Sequence, residues 1–343
     1  NAIFASITGS SIASAAVFTK IATPEMLRHG YTPRFAVGVV AGSSVLGMLI
    51  PPSLLMIIYG VLAEQSIGKL FVAGVIPGFL LAMVFAVMIM MMARFTPGRV
   101  FDPQQQSQLL RGRQIEVTLT WLQMVNKLVP IAALVALVLG GLYGGFFTPT
   151  EGAGVGAAST FVAALLKREM NWAKFKQCFY ATADSSAMIF LIFIGADLMN
   201  GALALSQASV QLTEMVTGLG WPPLVVVAGI LLFYVVLGAV MDELSMILLT
   251  IPIFFPIVVG MDFGLPKESV AIWFGILVLM VVEFGLLAPP VGLNVYVVNG
   301  MAKDIPIAES YRGVMPFLVS DTIRTLLILF FPGICLWLVS VIT

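Results

Sequence analysis

The sequence has 343 residues, of which 60% are hydrophobic and only 10% charged, with a formal net charge of zero. A soluble domain carries roughly 25% charged residues, so this composition predicts a polytopic membrane protein, all-α because helices satisfy their own backbone in lipid. The neutral balance argues against a nucleic-acid partner, and the absence of a P-loop motif argues against nucleotide hydrolysis by that route.

The few cysteines and the single histidine argue against a functional cysteine site and against a metal site. Cys178 and Cys335 are far apart in apolar contexts, which is typical of packing residues. His29 is the single histidine, so a metal site built on imidazoles is not expected. We expect neither enzymatic activity nor an organic cofactor. Because the chain begins at Asn1 inside an apolar stretch, we also expect it to be N-terminally truncated.

The first quarter of the chain predicts a helical hairpin, a broken helix and a crossing helix. Ala2–Ile21 is polar at its centre, as in a re-entrant hairpin, and the basic segment Pro24–Arg34 is predicted to be a loop. Phe35–Leu62 is long enough to cross a bilayer but is interrupted by Pro51-Pro52, which removes backbone donors. Leu70–Ala93 has the composition of an ordinary crossing helix.

The middle of the chain begins with its only long polar segment, residues 94–127, predicted to form a cytoplasmic amphipathic loop or arm. Leu128–Phe147 crosses again, and Thr148–Gly152 forms a turn. Ala153–Leu166 is rich in glycine and alanine, which suits close helix packing. A basic loop follows at residues 167–176.

The rest of the chain repeats the order of the beginning. A crossing, a hairpin, a broken helix and a final crossing are predicted at about Tyr180–Leu205, Trp221–Val259, Val270–Ala302 and Gly313–Ile342. The hairpin has a polar tip at Gly238–Ser245, and the broken helix is interrupted by Pro289-Pro290.

An internal repeat connects the two breaks. An offset of 238 residues lays Pro51 on Pro289 and Gly47 on Gly285. The positive-inside rule places the arm and most of the 17 basic residues in the cytoplasm. The first hairpin then enters from the cytoplasm and the second from outside, an inverted repeat typical of secondary transporters. The predicted organisation is 1–93 as the first repeat, 94–127 as the arm, 128–179 as scaffold helices with a basic loop, and 180–343 as the second repeat.

Unwound helices present backbone carbonyls that bind sodium, so two sodium sites are predicted where a hairpin tip faces a break. The first comprises Thr8, Ser10, Ser11, Ser43, Ser44, Gly47, Ile50 and Pro51. The second comprises Met241, Asp242, Ser245, Gly285, Leu287, Ala288, Pro289 and Asn294. Helix N-termini at the tips suit a substrate carboxylate. Candidate substrate contacts are Ser10, Ser11, Ser53, Asp242, Pro290 and Gly292.

Each of these residues could instead have a purely structural role. Serine and threonine in membrane helices commonly bond to a neighbouring turn or helix. Asp242 and Glu283 are intramembrane acids, for which function is the default hypothesis, although Glu283 pairing with a neighbouring helix is the alternative. Asp321 and Arg324 are three residues apart and are predicted to form a structural pair on one helix face.

Four motifs resemble the large membrane subunit of the tripartite ATP-independent periplasmic (TRAP) transporters, which include the C4-dicarboxylate type. These motifs are Thr8–Ala13, Ile50–Ser53, Thr148–Glu151 and Ala288–Asn294. The resemblance runs along the whole chain. It implies an elevator mechanism driven by a sodium gradient in the bacterial inner membrane. It also implies a small four-helix membrane subunit, a periplasmic substrate-binding protein, and a carboxylate such as a dicarboxylate or sialic acid as solute.

The chain departs from the family pattern by lacking apolar segments before the first hairpin tip, so we do not expect it to transport by itself. One alternative is a single-component symporter of sodium and divalent anions, which shares the hairpins and broken helices but needs no binding protein. A second alternative is a membrane subunit of an ion-pumping respiratory complex. That function calls for a chain of intramembrane Lys, Glu and His residues, and no histidine lies in a predicted span.

Overall fold

A computed structural model describes residues 10–102 and 121–342, and these residues are almost entirely helical. The first part contains α1 (Ser11–Arg28), α2 (Pro33–Ser44), a 3-10 turn (Val45–Met48), α3 (Leu54–Leu62), α4 (Ile67–Phe95) and α5 (Pro97–Val100). The middle contains α6 (Trp121–Tyr143), α7 (Pro149–Leu166), α8 (Trp172–Ser206) and α9 (Ala208–Gly218). The last part contains α10 (Pro223–Gly238), α11 (Glu243–Val259), α12 (Lys267–Leu287), α13 (Leu293–Met301), α14 (Ile307–Phe330) and α15 (Gly333–Ile342).

Four of these helices, α4, α8, α12 and α14, are long and apolar enough to cross a membrane. The chain divides into two units, one formed by residues 1–114 and 198–343 and the other by residues 115–197. The organisation predicted from the internal repeat stays a prediction, and its boundary at 179/180 lies within the continuous helix α8.

Helix α12 is the centre of the first unit, and nearly all of its residues are buried by other parts of the protein. The Trp273 indole N–H donates to the Ile328 carbonyl of α14 over 2.9 Å. The Tyr59 hydroxyl of α3 donates to the Ala271 carbonyl over 2.6 Å. An apolar helix that is hydrophobic all round is expected to be buried on every side, and α12 is buried by protein.

Helices α2 and α14 cross with their backbones almost in contact. A Cβ placed on Gly38 would overlap the carbonyl oxygen of Gly313, and a Cβ on Gly313 would overlap the carbonyl oxygen of Arg34. Any larger residue at either position would push the two helices apart, so the glycines set their distance.

Both predicted helix interruptions are present. The 3-10 turn and Pro51-Pro52 separate α2 from α3, while Ala288–Gly292 separates α12 from α13. Each Pro-Pro pair contains a cis peptide bond. The two broken helices therefore place irregular backbone inside otherwise apolar segments, as the sequence predicts.

Two helix boundaries that lie near prolines differ from the prediction. The segment predicted as a loop from Pro24 is helical as far as Arg28. Pro24 and Lys20 are both exposed, so the hydrogen bond that Pro24 cannot make lies on the outer face of α1. The predicted final crossing is divided at Phe331 and Pro332 into α14 and α15.

In the second unit α6 packs against α7, and a capping box begins α7. The Glu151 carboxylate accepts from the Thr148 backbone N–H over 2.8 Å, and the Glu151 N–H donates to the Thr148 hydroxyl. Further along, the Phe175 ring stacks on Trp172 and contacts Phe161. The predicted turn at Thr148 is thus the start of a helix.

Candidate functional site

Helix α1 begins in a pair of serines at the predicted first hairpin tip. Ser10 is the N-cap, and its hydroxyl oxygen accepts from the Ala13 N–H over 3.4 Å. Ser11 is fully buried and faces the second half of the chain: its Oγ lies 3.0 Å from Glu243 Oε2 and 3.3 Å from Asn294 Oδ1. One serine therefore stabilises the helix start locally, while its neighbour contacts two distant elements.

Helix α11 begins in the same manner with two acids at the predicted second tip. Asp242 is the N-cap, and its Oδ2 accepts from the N–H groups of Leu244 and Ser245 over 3.1 and 3.0 Å. Glu243 is the first helical residue, and it is buried, with a relative exposure of 7%. The free N–H groups of the helix start therefore stabilise the Asp242 carboxylate.

Asn294 and Ser44 join the two breaks. The Ser44 hydroxyl donates to the Ala41 carbonyl over 2.6 Å, which uses its single hydrogen. Ser44 therefore accepts the hydrogen bond from Asn294 Nδ2, at 3.1 Å. This assignment leaves Asn294 Oδ1 facing Ser11 as an acceptor.

We call Ser11, Ser44, Glu243 and Asn294 the polar junction. It connects the start of α1, the end of α2, the start of α11 and the first turn of α13, so residues from both predicted tips and both breaks meet at one place. The Ser11 hydroxyl has one hydrogen and faces two acceptors. Among the ion pairs of the described residues none involves Glu243, so the junction has a formal charge of −1.

The other predicted site residues are distributed over the helix starts and the two breaks. Ser43 donates to the Val39 carbonyl, and Ser53 is the N-cap of α3 and accepts from Met56. Gly47 lies in the 3-10 turn, whereas Thr8 falls outside the described residues. Buried or half-buried positions are Ile50, Pro51, Met241, Ser245, Leu287, Ala288 and Gly292. Pro289 and Pro290 are exposed.

The second break is supported by close backbone contacts. The Ala288 N–H donates to the carbonyls of Phe284 and Gly285. Gly285 approaches α10 so closely that a Cβ on it would lie 2.6 Å from the Gly238 Cα. Gly292, the N-cap of α13, has a φ of +55°, a conformation that favours glycine. Gly285 thus allows α12 to pack closely on α10, and Gly292 allows the backbone turn that leads into α13.

A separate ionic cluster lies between α12 and α14. Arg324 pairs with Asp321 on its own helix and with Glu283 Oε2 at 3.3 Å, and all three side chains are fully buried. The predicted Asp321–Arg324 pair is confirmed. Glu283, for which a functional role was also predicted, is the third member and connects the two helices.

Sequence reasoning missed Glu243 as a site residue. The prediction took Asp242, its neighbour in the same polar tip, as the functional acid. An acid in an otherwise apolar hairpin is itself a signal of function. Its contacts with Ser11 could not be read from the sequence, since 232 positions separate the two residues.

These features define a helical, multi-pass membrane protein with a polar junction between two interrupted helices. The family model for the tripartite ATP-independent periplasmic transporter, DctM component, matches residues 1–334. The chain belongs to this family, so it is a subunit of a membrane transporter and not an enzyme. Transporters of this family are tripartite, with a small membrane subunit and a periplasmic binding protein beside the large one.

Three curated relatives have different named solutes. The C4-dicarboxylate TRAP transporter large permease protein DctM of Pseudomonas aeruginosa is 33% identical over 335 residues, covering 97% of this chain and 74% of that protein. The sialic acid TRAP transporter large permease protein SiaM of Vibrio cholerae is 29% identical, with 98% and 74% covered. The 2,3-diketo-L-gulonate TRAP transporter large permease protein YiaN of Escherichia coli is 28% identical, with 96% and 72% covered.

Proposed function

We propose that this chain is the large permease subunit of a sodium-gradient-driven secondary transporter in the bacterial inner membrane. It imports a small organic anion delivered by a periplasmic binding protein, and it works with a small four-helix membrane subunit. Transport follows an elevator mechanism in which the unit that contains the polar junction carries the solute. ATP is not required.

The polar junction is the observation that supports sodium coupling. A buried carboxylate is costly unless a positive charge or several hydrogen bonds stabilise it. Glu243 accepts one described hydrogen bond, from a hydroxyl that also faces Asn294. A cation bound nearby would stabilise the carboxylate and the surrounding oxygens. The unwound carbonyls of the two breaks lie on elements that the same junction connects, so ion binding and junction closure would stabilise each other.

The named solutes of the relatives support an organic anion. A dicarboxylate, sialic acid and diketogulonate all carry a carboxylate, whereas their remaining groups differ. The N-termini of α1 and α11 meet at the junction, and free helix N–H groups favour a carboxylate there. Specificity beyond the carboxylate is then determined by other contacts.

The sodium gradient supplies enough free energy for accumulation. Each sodium ion that enters at about −100 mV contributes about 2.3 kcal/mol from the membrane potential. Two ions, one for each predicted site, therefore support a roughly thousandfold gradient of a neutral solute, at about 1.4 kcal/mol per tenfold. The charge of an anion reduces this value.

The test is uptake by proteoliposomes that contain the full-length protein and its small subunit, with the binding protein outside. Labelled C4-dicarboxylates, sialic acid and 2,3-diketo-L-gulonate serve as probes. We expect uptake of one of them to require an inward sodium gradient and the binding protein. Equal uptake with potassium in place of sodium would refute sodium coupling, and uptake without the binding protein would favour a single-component symporter.

Variants connect this activity to the junction and the second break. We expect Glu243→Ala and the replacement of Pro289-Pro290 by Ala-Ala to abolish sodium-driven uptake while membrane insertion persists. The matched control is Glu309→Ala, which removes a half-buried acid that pairs with the exposed Arg312. Wild-type uptake by both test variants would disprove a role for the junction and the break.

A further inference from the structure

A tyrosine outside the predicted sites contacts the second break. The Tyr311 hydroxyl, on α14, lies 2.9 Å from the Pro290 carbonyl oxygen and 2.5 Å from the Val291 carbonyl oxygen. These two residues are in the unwound segment between α12 and α13. They lie between Pro289 and Asn294, two of the residues that the sequence predicts for the second sodium site.

The Tyr311 hydroxyl reduces the repulsion between two carbonyl oxygens of the unwound segment. Pro290 and Val291 precede the first turn of α13, so no helical N–H group accounts for their carbonyls. Two carbonyl oxygens directed at the same point repel each other unless a positive group lies between them. The Tyr311 hydroxyl has one hydrogen, which the two oxygens share. The hydroxyl thus fixes the direction of both carbonyls from outside the segment.

Among the described residues, no hydroxyl contacts the first break in the way that Tyr311 contacts the second. After the breaks the internal repeat continues with a one-residue gap, an offset of 239, so Tyr311 corresponds to Val72, a buried residue of α4. Ser53 caps α3 with its own side chain, and its carbonyl accepts from the Ile57 N–H over 3.3 Å. Within residues 10–102 and 121–342 we find no donor to the carbonyls of Pro51 and Pro52. The two breaks are therefore stabilised by different means.

We propose that Tyr311 is a positioning residue of the second sodium site, an inference that rests on the proposed sodium-coupled function. Its hydroxyl holds the Pro290 and Val291 carbonyls toward α14, which fixes the turn that connects Pro289 to Asn294. The predicted ligands are then held in one arrangement before a sodium ion binds. These ligands are the carbonyls of Leu287, Ala288 and Pro289 and the side chain of Asn294. Removing the hydroxyl leaves the ligands in place but lets their arrangement vary, so sodium binds less tightly.

Tyr311→Phe removes the hydroxyl and keeps the ring. The matched control is Tyr180→Phe, because Tyr180 is an exposed residue of α8 for whose hydroxyl the described residues offer no hydrogen bond. Both variants are made in the full-length protein and reconstituted with its partners, and uptake is measured over a range of sodium concentrations. We expect Tyr311→Phe to raise the half-saturating sodium concentration roughly two- to tenfold, as expected for the loss of one hydrogen bond. At saturating sodium, the half-saturating solute concentration should stay unchanged.

Sodium binding is also measured without transport, by thermal unfolding of the purified protein. Sodium replaces choline in the buffer, and the rise in unfolding temperature reports binding. Tyr311→Phe should need more sodium for the same rise, and Tyr180→Phe should match the wild type. An unaltered sodium dependence in Tyr311→Phe, an equal shift in solute and sodium half-saturation, or a failure of this variant to fold would each overturn the positioning role. If the wild-type protein itself shows no sodium dependence, the proposed function fails instead.

Discussion

The buried ionic cluster of Glu283, Asp321 and Arg324 gives a sharp prediction of stability. Its formal charge is −1, and each side chain is fully buried. Arg324→Gln leaves two carboxylates in the protein interior without their cation. Removing one partner of a buried ion pair costs about 3–5 kcal/mol, since the remaining charge stays desolvated. We expect a loss of this size in the free energy of unfolding, measured by titrating the purified protein from mild detergent into SDS.

Two further variants separate charge from packing. Arg312→Gln changes the same residue type on the same helix, but Arg312 is exposed in its pair with Glu309, so its loss should cost about 0–1 kcal/mol. The triple variant Glu283→Gln, Asp321→Asn, Arg324→Gln carries no formal charge and should regain much of the stability that Arg324→Gln loses. Equal effects of Arg324→Gln and Arg312→Gln would refute the reasoning, as would a triple variant less stable than Arg324→Gln.

Two other predictions concern helix packing and helix starts. Gly38→Ala would force α2 away from Gly313 and should lower the free energy of unfolding by roughly 1–3 kcal/mol in the same assay. Gly229→Ala on α10, where a Cβ meets nothing within 4 Å, should leave it unchanged or slightly raised, and a similar loss in both would contradict the close-contact explanation. Thr148→Ala removes the capping box of α7 and should cost about 0.5–2 kcal/mol. The mid-helix control Thr160→Ala should cost less, so the reverse order would show that the cap contributes little.

The order of elements could be predicted because each element has a local cause. Pro51-Pro52 and Pro289-Pro290 interrupt their helices through chemistry confined to a few residues. Pro24 has the same chemistry, yet α1 continues past it, because the missing hydrogen bond falls on an exposed face and tertiary packing maintains the helix. Whether a single proline ends a helix therefore depends on neighbours that the local sequence does not specify.

The candidate site could be predicted in part. Ser11, Ser44 and Asn294 were expected at tips and breaks, and the structure brings them together across up to 283 positions of sequence. The sequence assigns each tip to one break, whereas in the structure Ser11 contacts the other tip and the other break. Glu243 and Tyr311 were missed because their importance arises from contacts with distant residues, and neither belongs to a local pattern.

The burial of α12 has a consequence for biogenesis. In the finished protein α12 is covered by protein on nearly every side, yet it is translated before α14. Glu283 thus enters the membrane before its partner Arg324, which follows 41 residues later in the chain. The apolar residues of α12 then favour its insertion by the translocon, because they offset the free-energy cost of inserting an unpaired acid. They have little contact with lipid in the finished protein. Arg324 pairs with Glu283 only after α14 has entered the membrane, so the ionic contact between α12 and α14 forms late in the insertion of the chain.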